Sequence, residues 1–548
     1  MSTFTITIDG HPVDVAPGES LLEAARKLGL DIPTLCYLEK CGPLNSCLVC
    51  LVRVNGRLVP SCGTRVAPGM VVESETELVH AARRTALELL FSDHVGDCLS
   101  PCNLLCPLLL NIPVMIRQIE SEQLAEAAVT VRHALPLPAV LGRLCHHPCE
   151  KGCRRGAHDD PAAIREMERF VADEDLQSAS PHRPPCKPTS GKSIAVVGAG
   201  PTGLAAAYFL IREGHAVNVY DRHEKPGGSL HSSVAKKELP REALEGEVAR
   251  LEQLGIQFHG SAELGRDITL PGLTEAHDAV ILSIGGTAMN ESETLGVRTV
   301  EAGIKADPNT CRTDLPKVFA AGAAVKPVKQ LVRAMSEGRM VAACVTQFLA
   351  AGEVRRPDKP FSNLMGRLEP GELRTFLQTA TLAPRVSPCS ACAVGLTRRD
   401  AVGEASRCLH CDCRSSGNCV LQHYAQVYGA EANRFHSKRR TFEQQVQPGG
   451  VIFEPGKCIL CGICVRLTEQ AQEPLGLTFI GRGFDVRIGA SLNRTIDEGL
   501  QKVAAEVVFH CPTGALCFDE TAVRTAVTSP LAQTLPSKVM SGGPKVQP

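Results

Sequence analysis

Cysteine is the residue type that most constrains this chain. The 548 residues include 25 cysteines, and most of them lie in four closely spaced groups instead of being spread along the sequence. Residues 1–10 contain neither the basic nor the apolar region of a secretion signal. Structural disulfides are not expected in a protein that is not secreted. The clustering therefore predicts thiolates bound to metal, in a cytoplasmic protein.

Composition excludes two classes of partner. The 58 Lys and Arg residues balance 59 Asp and Glu residues, which gives a formal net charge of -1. Such a balance offers no basic surface for nucleic acid or for an anionic membrane. The longest apolar stretch, 104–116, contains two prolines and is too short to span a bilayer. With 44% apolar residues, a chain of this length is expected to form three or more folded domains.

The first cysteine group lies in residues 1–78, which are predicted to form a small β-rich domain. Alternating Thr and apolar residues followed by Asp9-Gly10 indicate a hairpin, and a second strand pair flanks Asn55-Gly56. Four thiolates in loops beside a sheet are typical ligands of a [2Fe–2S] cluster. Buried free thiols and a zinc site are the alternatives. The predicted ligands are Cys36, Cys47, Cys50 and Cys62.

The residues around these cysteines carry a family resemblance. Leu35-Cys36-Tyr37 and Val59-Pro60-Ser61-Cys62 resemble the N-terminal ferredoxin domain of the large peripheral-arm iron–sulfur subunit of respiratory complex I. The spacing of plant ferredoxins does not fit, because position 44 is leucine. The resemblance implies a β-grasp ferredoxin fold that holds one [2Fe–2S] cluster.

The second group lies in residues 79–180, which are predicted to be mainly helical. Residues 83–90 resemble the helix before the histidine-ligated cluster of the same complex I subunit, but the cysteine spacing that follows departs from it. From Cys98 onward the pattern, including Gly142-Arg143-Leu144-Cys145, resembles the small subunit of glutamate synthase and dihydropyrimidine dehydrogenase. Their N-terminal domain holds two [4Fe–4S] clusters with interleaved ligands.

This second resemblance implies two ligand sets. The set for one [4Fe–4S] cluster is Cys98, Cys102, Cys153 and His94. The set for the other is Cys106, Cys145, Cys149 and Glu168, with Glu166 as the second choice for the polar ligand. For His94 the alternative is an ordinary histidine at a helix end. An imidazole ligand removes one negative charge from a cluster and should raise its reduction potential.

A third group lies in segment 355–445, which is predicted to be mixed and mostly helical. Four cysteines within twelve residues favour a [4Fe–4S] cluster, and they are Cys408, Cys411, Cys413 and Cys419. Zinc, with Cys389 and Cys392 completing its site, is the alternative, since all-cysteine zinc sites favour paired C-x2-C units.

The fourth group lies in segment 446–524. A compact C-x2-C-x2-C loop and a remote Cys-Pro form the pattern that encloses one [4Fe–4S] cluster. The predicted ligands are Cys458, Cys461, Cys464 and Cys511. Lys457-Cys458-Ile459-Leu460-Cys461-Gly462 again resembles a cluster-binding segment of the complex I subunit. Residues 525–548 are rich in Pro, Ser, Gly and Lys and are predicted to be disordered.

A glycine loop marks residues 192–350 as a dinucleotide-binding domain. The order of elements is strand, glycine loop, helix, strand and terminal acid. The first strand is 192–197, and the glycine loop contains Gly198, Gly200 and Gly203. The helix is 204–213, the second strand is 216–220, and the terminal acid is Asp221. The glycines let backbone N–H groups reach a pyrophosphate, and Asp221 would accept from a ribose hydroxyl. A relic of this fold that binds nothing is the alternative.

The following residues point to the type of nucleotide. Lys225-Pro226-Gly227-Gly228 resembles the FAD-binding start of glutamate-synthase-type flavoproteins, and residues 318–322, which end in Gly322, resemble their closing FAD segment. The interval between residues 285 and 318 is too short for the nicotinamide domain found there in that family. The resemblance thus implies FAD without an NAD(P)H domain. Ala323 replaces an aspartate that binds the ribityl chain, a loss of about 1–3 kcal/mol.

These features together predict an α/β multidomain protein. It would combine an N-terminal β-grasp ferredoxin, a helical [4Fe–4S] domain, a Rossmann-like FAD domain and a C-terminal ferredoxin-like [4Fe–4S] module. Clusters and a flavin without a substrate triad indicate electron transfer, because the cofactors carry the chemistry. We expect an oxidoreductase subunit that relays electrons through one [2Fe–2S] cluster, about four [4Fe–4S] clusters and one FAD.

The expected partners are other redox subunits, of the NAD(P)H-binding flavoprotein, formate dehydrogenase or hydrogenase type. Two alternatives stay open. The chain could be a self-contained NAD(P)H:acceptor oxidoreductase, with the pyridine nucleotide beside the flavin. It could also be a flavin-free iron–sulfur wire or scaffold.

Overall fold

A computed structural model describes residues 3–286, 296–386, 395–415, 418–435 and 439–518. The predicted disordered tail lies outside the described residues, as do Cys389 and Cys392 of the zinc alternative. The chain forms two compact units. The first contains Met1–Ser100, Pro360–Gln378 and the described residues from Cys411 onward, and the second contains Pro101–Lys359 and Thr379–His410.

Two of the predicted segments, 79–180 and 355–445, are each divided between these units. The chain passes from one unit to the other after Ser100, Lys359, Gln378 and His410. Boundaries drawn from composition assume that each domain is continuous in sequence. Neither Ser100 nor His410 lies at a shift in composition, so the sequence gives no sign of the interruption.

The first unit begins with a five-stranded mixed sheet. In sheet order its strands are His11–Val15, Phe4–Ile8, Val71–Glu73, Leu51–Val54 and Arg57–Pro60. The two predicted hairpins are confirmed, since Ile8 pairs with His11 and Val54 pairs with Arg57. Ser20 caps the helix Leu21–Lys27, which packs on the sheet through its apolar face.

Short elements around a second apolar core make up the rest of the first unit. The helices are Glu77–Phe91, Pro370–Leu377, Val420–Val427, Ile463–Gln470 and Ala504–His510. The strands Gln445–Val446, Val451–Phe453 and Leu516–Phe518 form one antiparallel sheet. Two further antiparallel pairs are Leu477–Ile480 with Arg487–Ala490, and Tyr37–Leu38 with Gly42–Pro43. Apolar side chains from these elements support the cysteine loops, because a single buried cluster contains both.

The second unit starts with helices, as the sequence predicts for this region. They are Pro101–Leu105, Ile112–Glu120, Leu124–Ala134, Pro138–Leu144, Pro148–Lys151 and Ile164–Gln177. Their apolar faces are buried, and Ile112, Met115, Ile116 and Ile119 of one helix are typical. The spacing of these residues places them on one side of the helix, toward the core.

A parallel sheet forms the other part of the second unit. Its strand order is Gln257–His259, Ala216–Tyr220, Ser193–Val197, Ala279–Leu282 and Val318–Ala320. The helices are Pro201–Arg212, Ser229–Ser232, Arg241–Gln253, Leu270–Ala276, Leu331–Ala351 and Arg398–Ala405, and Thr299–Val300 pairs with Gly303–Ile304. In such sheets ligands bind beyond the carboxyl ends of the strands, where the strand order reverses. Here that point lies between Ser193–Val197 and Ala279–Leu282.

In the part of the chain that the structure describes, no single helix is long and apolar enough to cross a membrane. Leu124–Ala134 and Pro138–Leu144 pass that test only as a pair, and the pair is bent by 83°.

Gly338 allows two helices of the second unit to touch. An added Cβ would collide with the Thr202 carbonyl oxygen and lie 2.8 Å from Ala205 Cβ. We expect Gly338→Ala to destabilise the protein by about 1–3 kcal/mol through overpacking, seen as a lower apparent Tm. Gly403→Ala is the matched control, since the helical Gly403 has open space around it and should gain up to about 1 kcal/mol. Equal Tm values for the two variants would contradict this packing.

Candidate functional site

Four cysteines of the N-terminal sheet domain converge. The sulfurs of Cys50 and Cys62 are 3.3 Å apart, and the neighbouring thiols of Cys47 and Cys62 lower the pKa of Cys36. All four side chains are buried. The neighbouring side chain of Cys62 lowers the pKa of Cys50 to about 7. Four thiols at this separation fit a [2Fe–2S] cluster.

A second set forms around the loop after the helix Glu77–Phe91. Asn363 fixes this loop, because its side chain donates to the carbonyls of His94 and Gly96 at 3.0 and 2.9 Å. Its backbone N–H also donates to the sulfur of Cys98 at 3.4 Å. Burial lowers the pKa of His94 to about 3, and its Nδ1 is buried without a hydrogen-bond partner. A neutral imidazole with an unused ring nitrogen suits a metal ligand.

Cys413 and Cys419 lie beside this loop. A backbone bridge between Asp97 and Asp412 holds the two chain segments together. Burial, with the nearby charge of Cys413, raises the pKa of Cys98 to about 12. Burial also raises the pKa of Cys419, and the charges of Cys413 and Cys98 add to this effect. Cys98, Cys413 and Cys419 therefore lie near one another within the first unit, and His94 lies on the same loop as Cys98.

This grouping differs from the two predicted ligand sets that contain these residues. Of the predicted set His94, Cys98, Cys102 and Cys153, the first two residues belong to the first unit and the last two belong to the second. Of the predicted set Cys408, Cys411, Cys413 and Cys419, Cys408 belongs to the second unit and the other three belong to the first. The predicted sets join cysteines that are close along the chain. The chain, however, passes from the first unit to the second after Ser100.

The C-terminal cysteines keep their predicted grouping. Cys458, Cys461, Cys464 and Cys511 line one small pocket together with apolar side chains. Burial raises the pKa of Cys458 to about 12, and the charge of Cys511 adds to it. Leu460 and Gly462 have positive φ angles of 54° and 67°, which turn the short loop around the pocket.

Three cysteines and one acid line a cavity in the second unit. Its walls include Cys106, Cys145, Cys149 and Glu168. Burial raises the pKa of Glu168 to about 8, and its Oε1 is buried without a hydrogen-bond partner. Glu166 pairs with Arg165 at 2.8 Å and is not among the residues that line this cavity. The structure therefore favours Glu168 over Glu166 as the polar ligand.

Three other predicted ligands, Cys102, Cys153 and Cys408, also belong to the second unit. The charge of Cys102 acts on Cys149, and that of Cys408 acts on Cys153, where burial is the main cause of a raised pKa. The sulfur of Cys408 accepts from the His410 backbone N–H at 3.4 Å. Among the described residues, no group of three or more His, Cys, Asp or Glu side chains converges on a position for a single metal ion.

The glycine loop has the close contacts that its sequence predicts. An added Cβ on Gly203 would collide with the Gly198 carbonyl oxygen, and one on Gly198 would lie 2.5 Å from the Ser283 carbonyl oxygen. By contrast, an added Cβ on Gly200 would meet no atom within 4 Å. Gly200 therefore faces open space at the N-terminus of Pro201–Arg212, where a pyrophosphate would be bound.

This open space is part of a cavity of about 300 Å³ at the carboxyl ends of the strands. The predicted residues Gly198, Gly200, Asp221 and Gly228 line it, together with Ala323. Two predicted residues, Gly203 and Gly322, do not line the cavity but make close contacts that support the glycine loop. A Cβ on Gly322 would collide with the Thr202 hydroxyl. The lining suits the pyrophosphate and a ribose of a dinucleotide, although Ala323 has no polar side chain.

Asp221 is fixed by the backbone around it. Its carboxylate accepts from the Ala199 N–H at 2.6 Å and from the His223 N–H at 2.8 Å. Each oxygen keeps lone pairs for a ribose hydroxyl. Sequence reasoning missed Ser283, whose hydroxyl donates to the carbonyls of Val197 and Gly198 at 3.0 Å each. It missed Asn363 as well, since neither residue belongs to a motif.

Three family models match parts of the chain. Residues 2–77 match the 2Fe-2S iron-sulfur cluster binding domain, and residues 92–180 match dihydropyrimidine dehydrogenase domain II, 4Fe-4S cluster. Residues 156–338 match the pyridine nucleotide-disulphide oxidoreductase family. These matches confirm the predicted [2Fe–2S] domain, [4Fe–4S] domain and FAD-type oxidoreductase domain, and with them an α/β multidomain fold.

The curated relatives are redox subunits by name. The NADP(+)-dependent formate dehydrogenase subunit beta of Moorella thermoacetica is 35% identical over 37% of this chain and 31% of its own length. The NADPH-Fe(3+) oxidoreductase subunit beta of Geobacter sulfurreducens is 34% identical over 38% of this chain and 30% of its own length. NAD-dependent dihydropyrimidine dehydrogenase subunit PreT of Escherichia coli K12 is 34% identical over 34% of this chain and 45% of its own length. The chain thus spans less than half the length of each of these relatives.

One solved structure aligns with most of the chain. A chain of the NAD+-reducing [NiFe]-hydrogenase in the H2-reduced state is 14% identical over 99% of this chain and 96% of its own. The TM-score is 0.34, which is too low to support an argument about fold or function.

The open space at Gly200 leads to a prediction for nucleotide binding. Gly200 has a φ of -77°, which alanine also adopts, so Gly200→Ala should fold normally. Its Cβ would occupy the place of a phosphate, and we expect at least a tenfold loss of FAD affinity. The measurement is FAD released per chain from protein purified without oxygen, with Gly246→Ala of the same domain as the control. Unchanged FAD content in Gly200→Ala would contradict this assignment.

Proposed function

We propose that the chain is an electron-transfer oxidoreductase subunit that relays electrons through iron–sulfur clusters and one FAD between partner subunits. A bound flavin supplies the exchange between an electron pair and single electrons, and clusters carry single electrons. The protein's part is to hold buried thiolates and one dinucleotide at fixed positions and to set the charges around them.

One helix supports this proposal most directly. On Leu331–Ala351, Val332 lines the cavity of Cys106, Cys145, Cys149 and Glu168, whereas Ala334 lines the dinucleotide cavity. Ser336 and Arg339 of the same helix donate to the carbonyls of Pro107 and Leu108, at 3.0 and 2.6 Å. Two residues along a helix correspond to a rise of about 3 Å. A flavin site and a cluster site thus share one helical turn, which suits direct electron transfer.

The proposed ligands form five sets. The [2Fe–2S] set is Cys36, Cys47, Cys50 and Cys62. The two [4Fe–4S] sets of the first unit are His94, Cys98, Cys413 and Cys419, and Cys458, Cys461, Cys464 and Cys511. In the second unit one set is Cys106, Cys145, Cys149 and Glu168, and another contains Cys102, Cys153 and Cys408. Cys411 stays a predicted ligand. The flavin residues are Gly198, Gly200, Gly203, Asp221, Gly228 and Gly322.

The proposal includes the finer family resemblances and the domain boundaries. Residues 1–78, 79–180, 192–350, 355–445 and 446–524 are proposed as functional segments of an assembly that combines features of complex I and glutamate synthase. The FAD domain, without an NAD(P)H domain of its own, would receive or deliver electrons through another chain. A cytoplasmic complex with a nicotinamide-binding flavoprotein, formate dehydrogenase or hydrogenase partner fits this arrangement.

Anaerobic copurification from the native source tests the proposal. One [2Fe–2S] and four [4Fe–4S] clusters correspond to about 18 iron atoms per chain, with matching acid-labile sulfide and one FAD. Zinc or cystines in place of iron and sulfide would contradict it. Iron without flavin would support the wire alternative. Rapid bleaching of the flavin by NADH or NADPH in the isolated chain would support the self-contained oxidoreductase.

The regrouping of ligands gives a separate prediction. We expect Cys98→Ala and Cys413→Ala to lose the same [4Fe–4S] signal in electron paramagnetic resonance (EPR) spectra, because both sulfurs belong to one set. Cys153→Ala should lose a different signal. Cys186→Ala is the control, since this exposed cysteine lies outside all four groups and should keep every signal. Loss of one common signal in Cys98→Ala and Cys153→Ala, but not in Cys413→Ala, would restore the sequence-based grouping.

A further inference from the structure

A lysine–glutamate ion pair is buried beside the loop that carries His94 and Cys98. The side chains of Lys457 and Glu454 form this pair and are 2% and 4% exposed. Lys457 directly precedes Cys458 of the C-terminal set. Its side chain nevertheless lies along the loop that carries His94 and Cys98. An added Cβ on Gly96 would lie 2.5 Å from Lys457 Cε. The contact is fixed by the backbone, since the Val95 N–H donates to the Gly456 carbonyl at 2.8 Å.

The charge of Lys457 acts on the donors of the His94 set. It interacts with the thiols of Cys98 and Cys413 and opposes a positive charge on His94. The charges that act on the C-terminal set come instead from its own cysteines, as Cys461 illustrates. Buried charges interact more strongly than exposed ones, because water and salt screen them less.

Glu454 opposes this effect and is held equally firmly. Its Oε1 accepts from the Gln444 side chain at 2.8 Å, and its backbone N–H donates to the Ala515 carbonyl at 2.8 Å. A buried ion pair adds little net stability compared with apolar residues of similar volume. Stability alone therefore does not account for a lysine and a glutamate at these positions.

We propose that Lys457 sets the reduction potential of the cluster held by His94, Cys98, Cys413 and Cys419. This inference rests on the proposed function, because it requires that cluster. Reduction adds one electron to the cluster, and a fixed positive charge nearby stabilises the reduced form. Lys457 thus raises the potential, Glu454 lowers it, and the neutral His94 ligand acts in the same direction as Lys457. The cluster of the His94 set would therefore accept electrons more readily than the all-cysteine cluster of Cys458, Cys461, Cys464 and Cys511.

The test is a potentiometric EPR titration of the full chain purified without oxygen. Cys413→Ala first identifies the signal of this cluster by its loss. In Lys457→Met, we expect at least a tenfold lower ratio of reduced to oxidised cluster at a fixed potential, which is a shift of about 59 mV to more negative values. Lys457→Arg should restore the midpoint, and Glu454→Gln should shift it to more positive values. Lys502→Met, which removes an exposed lysine, is the control and should change nothing.

The outcomes separate this inference from the proposed function. If Cys413→Ala removes no cluster signal, the ligand set is wrong and the inference falls with it. If the signal is lost but neither Lys457→Met nor Glu454→Gln moves its midpoint, the cluster stands and only the role of Lys457 is overturned. If Lys457→Met does not accumulate with full iron content, Glu454→Gln decides alone. A positive shift then supports the proposal, and no shift or a negative shift overturns it.

Discussion

The close approach of buried cysteine sulfurs is the constraint on which this structure depends. None of the 23 cysteines in the described part of the chain forms a disulfide, although several lie close enough to influence each other. Burial raises the pKa of Cys106 to about 11 and that of Cys145 to about 12, and the charge of Glu168 contributes to both. Such thiols ionise only beside a compensating positive charge, which the iron of a cluster provides. The fold therefore prepares ligand sets that are unfavourable as free thiolates.

The helix Leu331–Ala351 connects two kinds of chemistry in the second unit. Gly338 lets it lie against the helix that begins at the glycine loop, and Arg339 holds the chain beyond Cys106. A displacement of this helix would change the flavin cavity and the cluster cavity together. This coupling is a reason for a tight glycine contact at a position where alanine would favour the helix itself. Binding of FAD would then depend on this packing, because the side chain of Ala323 has no hydrogen-bonding group.

Local patterns in the sequence were sufficient for much of this structure. The hairpin at Asp9-Gly10, the glycine loop and the C-x2-C-x2-C loop each depend on residues close together in the chain, and each was predicted. The proximity of Cys98 to Cys413 was not, because 314 residues lie between them and neither segment is a complete motif. Asn363 was missed for a related reason. Its side chain donates to backbone carbonyls of a distant loop. Every residue type has a backbone carbonyl, so the sequence does not indicate which ones accept a hydrogen bond.

The long interval within the His94 set has an energetic consequence. Closing a flexible loop of 314 residues costs about 5 kcal/mol by the logarithmic law for loop entropy. Most of these residues fold into the second unit, so the interval is not a flexible chain when Asp97 pairs with Asp412. Folding of the second unit therefore reduces the entropy that binding of a cluster would have to offset, and the bridge holds the segments of Cys98 and Cys413 side by side. A ligand set divided by a folded insertion can assemble as readily as a continuous one, provided that the insertion folds first.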